Sequence, residues 1–124
     1  MSFSNTEASK ITNLLLVDDD PVFRLLYGRS LEDYSRFNSD VVDGVSSALS
    51  AIATKQYAVV ISDGLYGGWT EVLGAAMEQE ARPILYTADL EFVRFATNIE
   101  IEVYDKGRTT FRQVLDLILD HPAS

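Results

Sequence analysis

Apolar residues cluster along this chain in short runs that alternate with amphipathic stretches. Leu14-Leu15-Leu16-Val17, Tyr57-Ala58-Val59-Val60-Ile61 and Ile84-Leu85-Tyr86 are continuous runs of strand length, the signature of strands buried on both faces. A weaker strand is predicted over Phe37 to Val42. A fifth is predicted around Ile101-Glu102-Val103-Tyr104, where Ile99-Glu100-Ile101-Glu102-Val103 alternates with the period of two expected of a half-solvated edge strand. Between the strands, Val45, Ala48, Leu49, Ile52 and Ala53 keep the i, i+3, i+4, i+7, i+8 spacing of an amphipathic helix. The set Trp69, Val72, Leu73, Ala76 and Met77 repeats it, as does the set Phe111, Val114, Leu115, Ile118 and Leu119. Asp20-Pro21 supplies an N-cap and a first-turn proline for a helix running to about Asp33. Leu90 to Thr97 reads as a short helix. The pattern is five βα units, (βα)5. The expected fold class is α/β, flavodoxin-like and doubly wound, with a five-stranded parallel sheet in the order 2-1-3-4-5 and helices on both faces.

The polar residues gain meaning from this frame. Asp18-Asp19-Asp20 follows the first strand, Asp63 the third, Thr87 the fourth and Lys106 the fifth. In an open parallel sheet the carboxyl ends of the strands share one edge, and the crevice at the switch point between strands 1 and 3 is the usual ligand site. Each residue also has a plain explanation. Asp20 and Thr87 are good helix caps, Asp63-Gly64 is a turn signal, and Lys106 suits a solvated loop. Their recurrence at four separate strand ends brings carboxylates, a hydroxyl and an ammonium to one place. Clustered carboxylates repel, and a hard divalent cation with oxygen ligands relieves them; Mg2+ fits best, because it binds through one or two carboxylates, water and phosphate.

Composition narrows the field. The 124 residues carry a net charge of −9, with 47 % hydrophobic and 23 % charged positions. This is one ordinary globular domain without the Lys/Arg clusters that direct nucleic-acid binding demands. Cysteine is absent, which removes disulfides and thiolate chemistry. No apolar run reaches the ~20 residues of a membrane span, and the polar stretch from Met1 to Lys10 is no signal peptide. Residues 1–10 are expected to be a flexible tail, 11–121 the domain, with no output domain following and a cytoplasmic location. His121 stands alone and reads as a surface residue. Gly67-Gly68 lacks the partners of a phosphate loop. Trp69 belongs to an apolar stripe, and Glu71, Glu78 and Glu80 read as a solvated helix face.

With these residues in view, the chain resembles the receiver domain of bacterial response regulators. The resemblance is carried by Leu15-Leu16-Val17-Asp18-Asp19-Asp20-Pro21-Val22-Phe23-Arg24, Val60-Ile61-Ser62-Asp63, Arg82-Pro83-Ile84-Leu85-Tyr86-Thr87-Ala88 and Tyr104-Asp105-Lys106. It implies that Asp63 accepts a phosphoryl group from a histidine kinase or a histidine phosphotransfer protein. It also implies that Asp18, Asp19, Asp63 and the Leu65 backbone carbonyl hold Mg2+, while Thr87 and Lys106 contact the phosphoryl group. The output would then pass to a downstream protein or a homodimer, and the domain would be no enzyme beyond assisting its own phosphorylation and dephosphorylation. The sequence departs from the family pattern in four ways. Gly64-Leu65-Tyr66-Gly67-Gly68 replaces a proline-bearing loop and reads as looser, Gly107 replaces the proline after the lysine, the aromatic before Lys106 is displaced to Tyr104, and the spacings from Asp63 to Thr87 to Lys106 are short. These departures leave a degenerate receiver, acting as a constitutive interaction module, as an alternative. A small haloacid-dehalogenase-type phosphatase using Asp18 to Asp20 would need a later acidic pair, for which only Asp116 and Asp120 are available.

Overall fold

The computed structural model describes residues 10–121, so the expected tail lies almost wholly outside the described residues. Five parallel strands, β1 (Thr12–Val17), β2 (Phe37–Val42), β3 (Val59–Ser62), β4 (Arg82–Thr87) and β5 (Glu102–Asp105), form one sheet in the order β2-β1-β3-β4-β5. The helices are α1 (Pro21–Leu31), α2 (Val45–Thr54), α3 (Trp69–Glu78), α4 (Leu90–Asn98) and α5 (Phe111–Asp120). This is the flavodoxin-like topology expected from the sequence.

The continuous apolar runs are continuous because alternate residues enter two different cores. Leu15, Val17, Val60 and Leu85 face α2, α3 and α4, packing with Ala48, Trp69, Val72, Leu73 and Ala96. Leu14, Leu16, Ile61, Ile84 and Tyr86 face the other way, toward Tyr27 of α1 and Phe111, Val114, Leu115 and Ile118 of α5. Burying a large apolar side chain contributes about 1.5–3 kcal/mol, so these four α5 residues are the main attachment of that helix to the sheet.

Three boundaries differ from expectation. The first helix ends at Leu31, not near Asp33, because the Glu32 and Asp33 amides turn back onto the Arg29 and Ser30 carbonyls. β3 begins at Val59 rather than Tyr57, whose amide is taken by Gln79 Oε1 at 2.9 Å. The alternation at residues 99–101 is not strand, and β5 begins only at Glu102. Glu100 sits at φ 63°, and the Ile101 amide donates to the Ala96 carbonyl at 2.9 Å, which closes α4 in a left-handed C-terminal cap. Glu80 closes α3 in the same way at φ 66°, with Ala81 N–H on the Ala76 carbonyl, so it lies beyond the helix face assigned to it.

Candidate functional site

Backbone hydrogen bonds carry the sheet register one residue past the strands and so fix each candidate residue. Asp18 N–H donates to the Val42 carbonyl at 3.1 Å, Asp63 N–H to Val17 at 2.7 Å, and Lys106 N–H to Thr87 at 2.9 Å. Asp18, Asp19, Asp63, Leu65, Thr87 and Lys106 thereby line one open cleft of about 310 Å3 at the carboxyl edge of the sheet. Asp20 caps α1 as expected, accepting from Val22 N–H at 2.9 Å.

Lys106 is the centre of the arrangement. Its Nζ lies 2.7 Å from Asp63 Oδ1 and 2.9 Å from Asp18 Oδ2, with its side chain only 8 % exposed. The ammonium also lies 4.0 Å from the centre of the Phe23 ring and 5.7 Å from that of Tyr86, cation–π contacts that add to its attraction in this cleft. Asp63 Oδ2 accepts from Leu65 N–H at 3.1 Å. Asp18 is fully buried; Oδ1 accepts from Asp20 N–H at 3.0 Å, and Oδ2 accepts from Tyr27 Oη–H at 2.6 Å as well as from Lys106. Thr87 is buried, and its Oγ1 accepts from Asp89 N–H at 3.0 Å, which leaves the hydroxyl proton free to donate into the cleft.

One oxygen from each of Asp18, Asp19 and Asp63 falls within a 4.8 Å cluster. Asp19 bears the electrostatic cost: burial, then the Asp63 and Asp18 charges, push its carboxyl above the usual range. Three hard oxygen donors, one of them held against its own ionisation, fit a divalent cation. The donors are not equivalent, since Asp18 already accepts three protein hydrogen bonds. The Leu65 carbonyl accepts from Gly68 N–H at 2.9 Å and keeps one lone pair.

The loop after Asp63 is tight rather than loose. Leu65 (φ 51°), Tyr66 (φ 54°) and Gly67 (φ 100°) follow one another in the left-handed region. Non-glycine residues there cost about 1–2 kcal/mol each. Gly64 and Gly68 have ordinary right-handed conformations and serve space instead. A Cβ on Gly64 would lie 2.7 Å from Phe92 Cδ2, and one on Gly68 would lie 2.5 Å from Val45 Cγ2. Tyr66 is 96 % exposed at the rim of the cleft. Phe92 lies between the site and the core, its ring 6.2 Å from Trp69 in an edge-to-face pair.

Sequence reasoning passed over Phe23, Tyr27 and Tyr86. The i, i+4 pairing of Phe23 and Tyr27 on α1 was the available signal. The displaced aromatic, Tyr104, faces the α1/α5 side and donates to Glu102 Oε2 at 2.6 Å, while Val103 packs toward α3 and α4.

No family model and no curated protein matches the chain. Solved structures do. The signal receiver domain of an HD domain-containing protein from Pseudomonas fluorescens Pf-5 is 26 % identical, with a TM-score of 0.72 over 90 % of this chain and 93 % of that one. The isolated REC domain of RcsB from Salmonella enterica serovar Typhimurium, solved with the phosphomimetic BeF3−, is 17 % identical, with a TM-score of 0.73 over 90 % and 91 %. A de novo designed Rossmann 2x3 protein is also similar, at 10 % identity and a TM-score of 0.74 over 92 % and 94 %. The topology alone therefore carries no chemistry, and the strand-end side chains must. By fold, this chain is similar to receiver domains of the response-regulator type.

Proposed function

We propose that the chain is a phosphorylation-controlled signalling switch with Asp63 as the phosphoacceptor. The observation that carries this is the Lys106 ammonium, 2.7 Å from Asp63 Oδ1 in the same cleft as Asp19 and the Thr87 hydroxyl. A carboxylate oxygen of Asp63 attacks the phosphorus of a phosphohistidine on a histidine kinase or histidine phosphotransfer protein. The O–P bond forms as the P–N bond breaks, and the imidazole departs with that electron pair and a proton from solvent. As the carboxylate charge is lost, Lys106 pairs with a phosphoryl oxygen, Thr87 donates its hydroxyl proton to another, and Leu65 N–H continues to donate at the same edge. Asp19 and Asp63, with Asp18 and the Leu65 carbonyl, would hold Mg2+, which when bound neutralises charge on the transferring group.

The output would pass to a downstream protein or a second copy, in the cytoplasm, with residues 11–121 as the receiver unit. No helix among the described residues is long and apolar enough to cross a membrane. A constitutive interaction module is the second reading, favoured by the Asp18 carboxylate that already accepts three protein hydrogen bonds and by the left-handed loop at Leu65-Tyr66. The phosphatase reading lacks its second acidic pair, since Asp116 and Asp120 line a separate cleft with Tyr104 and Gln113.

Incubation with Mg2+ and acetyl phosphate, followed by intact mass, tests the proposal. One base-labile phosphoryl adduct should form, and Asp63→Asn should abolish it. An adduct at full yield in Asp63→Asn moves the acceptor elsewhere; no adduct on the wild type gives the lead to the constitutive module.

A further inference from the structure

We propose that Tyr27 is a positioning residue that commits the Asp18 carboxylate to Lys106 and keeps it from serving as a full cation ligand. This rests on the cation site of the function proposed above. The Tyr27 phenol donates to Asp18 Oδ2 at 2.6 Å, and Lys106 Nζ shares that oxygen at 2.9 Å. Asp20 N–H occupies Oδ1 at 3.0 Å. A carboxylate offers about four lone-pair positions, and protein donors fill three of them.

The phenol cannot readily swing away. Tyr27 is 2 % exposed, its ring packs tilted 4.5 Å from that of Phe111 and 6.0 Å from that of Phe23, and Phe111 lies 6.3 Å from Tyr86. These four aromatics form one wall from α1 to α5, and two of them, Phe23 and Tyr86, also flank the Lys106 ammonium. Asp18 is thus pinned to a rigid surface on one side and grips Lys106 on the other. The acidic cluster divides into an anchor, Asp18, and a cation-facing pair, Asp19 and Asp63. Lys106 is held in place by the protein itself.

A buried tyrosine could instead do no more than satisfy a buried carboxylate, and the two roles differ in sign. Tyr27→Phe keeps the ring and removes only the donor. Mg2+ is titrated into wild type and variant without phosphodonor at fixed ionic strength, read by Trp69 fluorescence and by melting temperature. Removing one of the two donors on Asp18 Oδ2 should lower the Mg2+ dissociation constant about five- to tenfold, the upper figure being about 1.4 kcal/mol. Generic loosening would weaken binding. In an Asp18→Asn background the same substitution should leave the constant unchanged, because the oxygen it acts through has gone. Independently of whether Tyr27→Phe folds, Asp18→Asn should weaken Mg2+ binding less than Asp19→Asn does. Unchanged or weaker binding in folded Tyr27→Phe, a gain that survives in Asp18→Asn, or a larger loss from Asp18→Asn than from Asp19→Asn would each overturn the assignment. A wild type that binds no Mg2+ defeats the cation site and this role together. A wild type that binds Mg2+ but forms no adduct with acetyl phosphate defeats only the phosphoacceptor.

Discussion

Lys106→Met removes the one cation that the structure sets between Asp18 and Asp63. Methionine keeps the length and apolar stem, so the perturbation is essentially electrostatic. Each carboxylate–ammonium pair is worth about 4 kcal/mol of Coulomb energy near 4 Å at an effective dielectric constant of 20. Much of that is offset in the native protein by the cost of taking the ammonium out of water. What the substitution exposes is the other side of the balance. Asp18 is fully buried and Asp63 mostly so, and both lose their countercharge. Breaking a buried pair by removing one partner costs about 3–5 kcal/mol. Asp18 keeps the Tyr27 phenol and the Asp20 amide, and Asp63 keeps the Leu65 amide, which favours the lower end.

For a domain of this size each kcal/mol moves the melting temperature by roughly 3–5 °C, so a fall of about 9–15 °C is expected in the absence of divalent cation. Melting followed by circular dichroism at constant ionic strength measures it. Mg2+ should recover more of the loss in Lys106→Met than it adds to the wild type, because the cation then supplies the only positive charge in the cleft. Asp63→Asn in the Lys106→Met background should also recover part of it. A fall below about 3 °C, or no extra gain from Mg2+, would refute the claim that Lys106 neutralises this cluster.

Two further outcomes follow from packing and titration. Gly64→Ala should lower the melting temperature by about 3–15 °C and shift Trp69 emission, since overpacking costs about 1–3 kcal/mol and the new methyl would displace the Phe92 ring that packs on Trp69; because Gly64 has an ordinary φ of −65°, an unchanged melt would show that the close approach to Phe92 is not a constraint. Burial raises the Glu102 carboxyl, but hydrogen bonds from Arg82 and Tyr104, with the Arg82 charge, outweigh it and hold the group below its ordinary 4.5. Its stabilising contribution is therefore present above about pH 4.5 and lost as pH falls through the lower native value, so Glu102→Gln should flatten the acid limb of a melting-temperature profile, and a parallel acid limb would assign the loss to other carboxylates, such as Asp40.

The parts of the site legible in the sequence are those that follow from the strands. Asp18, Asp19, Asp63 and Thr87 could be placed on one edge because three apolar runs are unbroken and end just before polar residues, and Lys106 because it follows the mixed run Ile101-Glu102-Val103-Tyr104. Helix C-termini were less legible. Glu80 and Glu100 take the left-handed position that glycine usually marks, so nothing at residue 99 or 100 warns that the Ile-Glu alternation belongs to a cap and not to β5. The loop 64–68 misled in the opposite direction. Its glycines suggest freedom, yet Gly64 and Gly68 are needed to let Phe92 and Val45 approach, and the left-handed strain falls on Leu65 and Tyr66.

These two kinds of miss share a cause that bears on the chemistry. Sequence patterns report which residues are apolar and where elements end, but the partners of a buried charge lie on other elements and leave no local trace. Asp18 illustrates this: its three donors come from the turn that follows it, from α1 nine residues on, and from the far end of the sheet. The motif alone presents Asp18 and Asp19 as a matched pair of cation ligands. The fold makes them unlike, one buried and hydrogen-bonded three times, the other at the exposed rim with its carboxyl pushed upward by partial loss of solvent and by its two acidic neighbours. Since the repulsion that a divalent cation would relieve is concentrated on Asp19, Asp19→Asn should raise the melting temperature without Mg2+ and shrink the gain that Mg2+ brings. If Asp19→Asn instead melts lower without Mg2+ and keeps the full Mg2+ gain, the repulsion lies elsewhere and Asp19 is not the residue through which the cluster meets a cation.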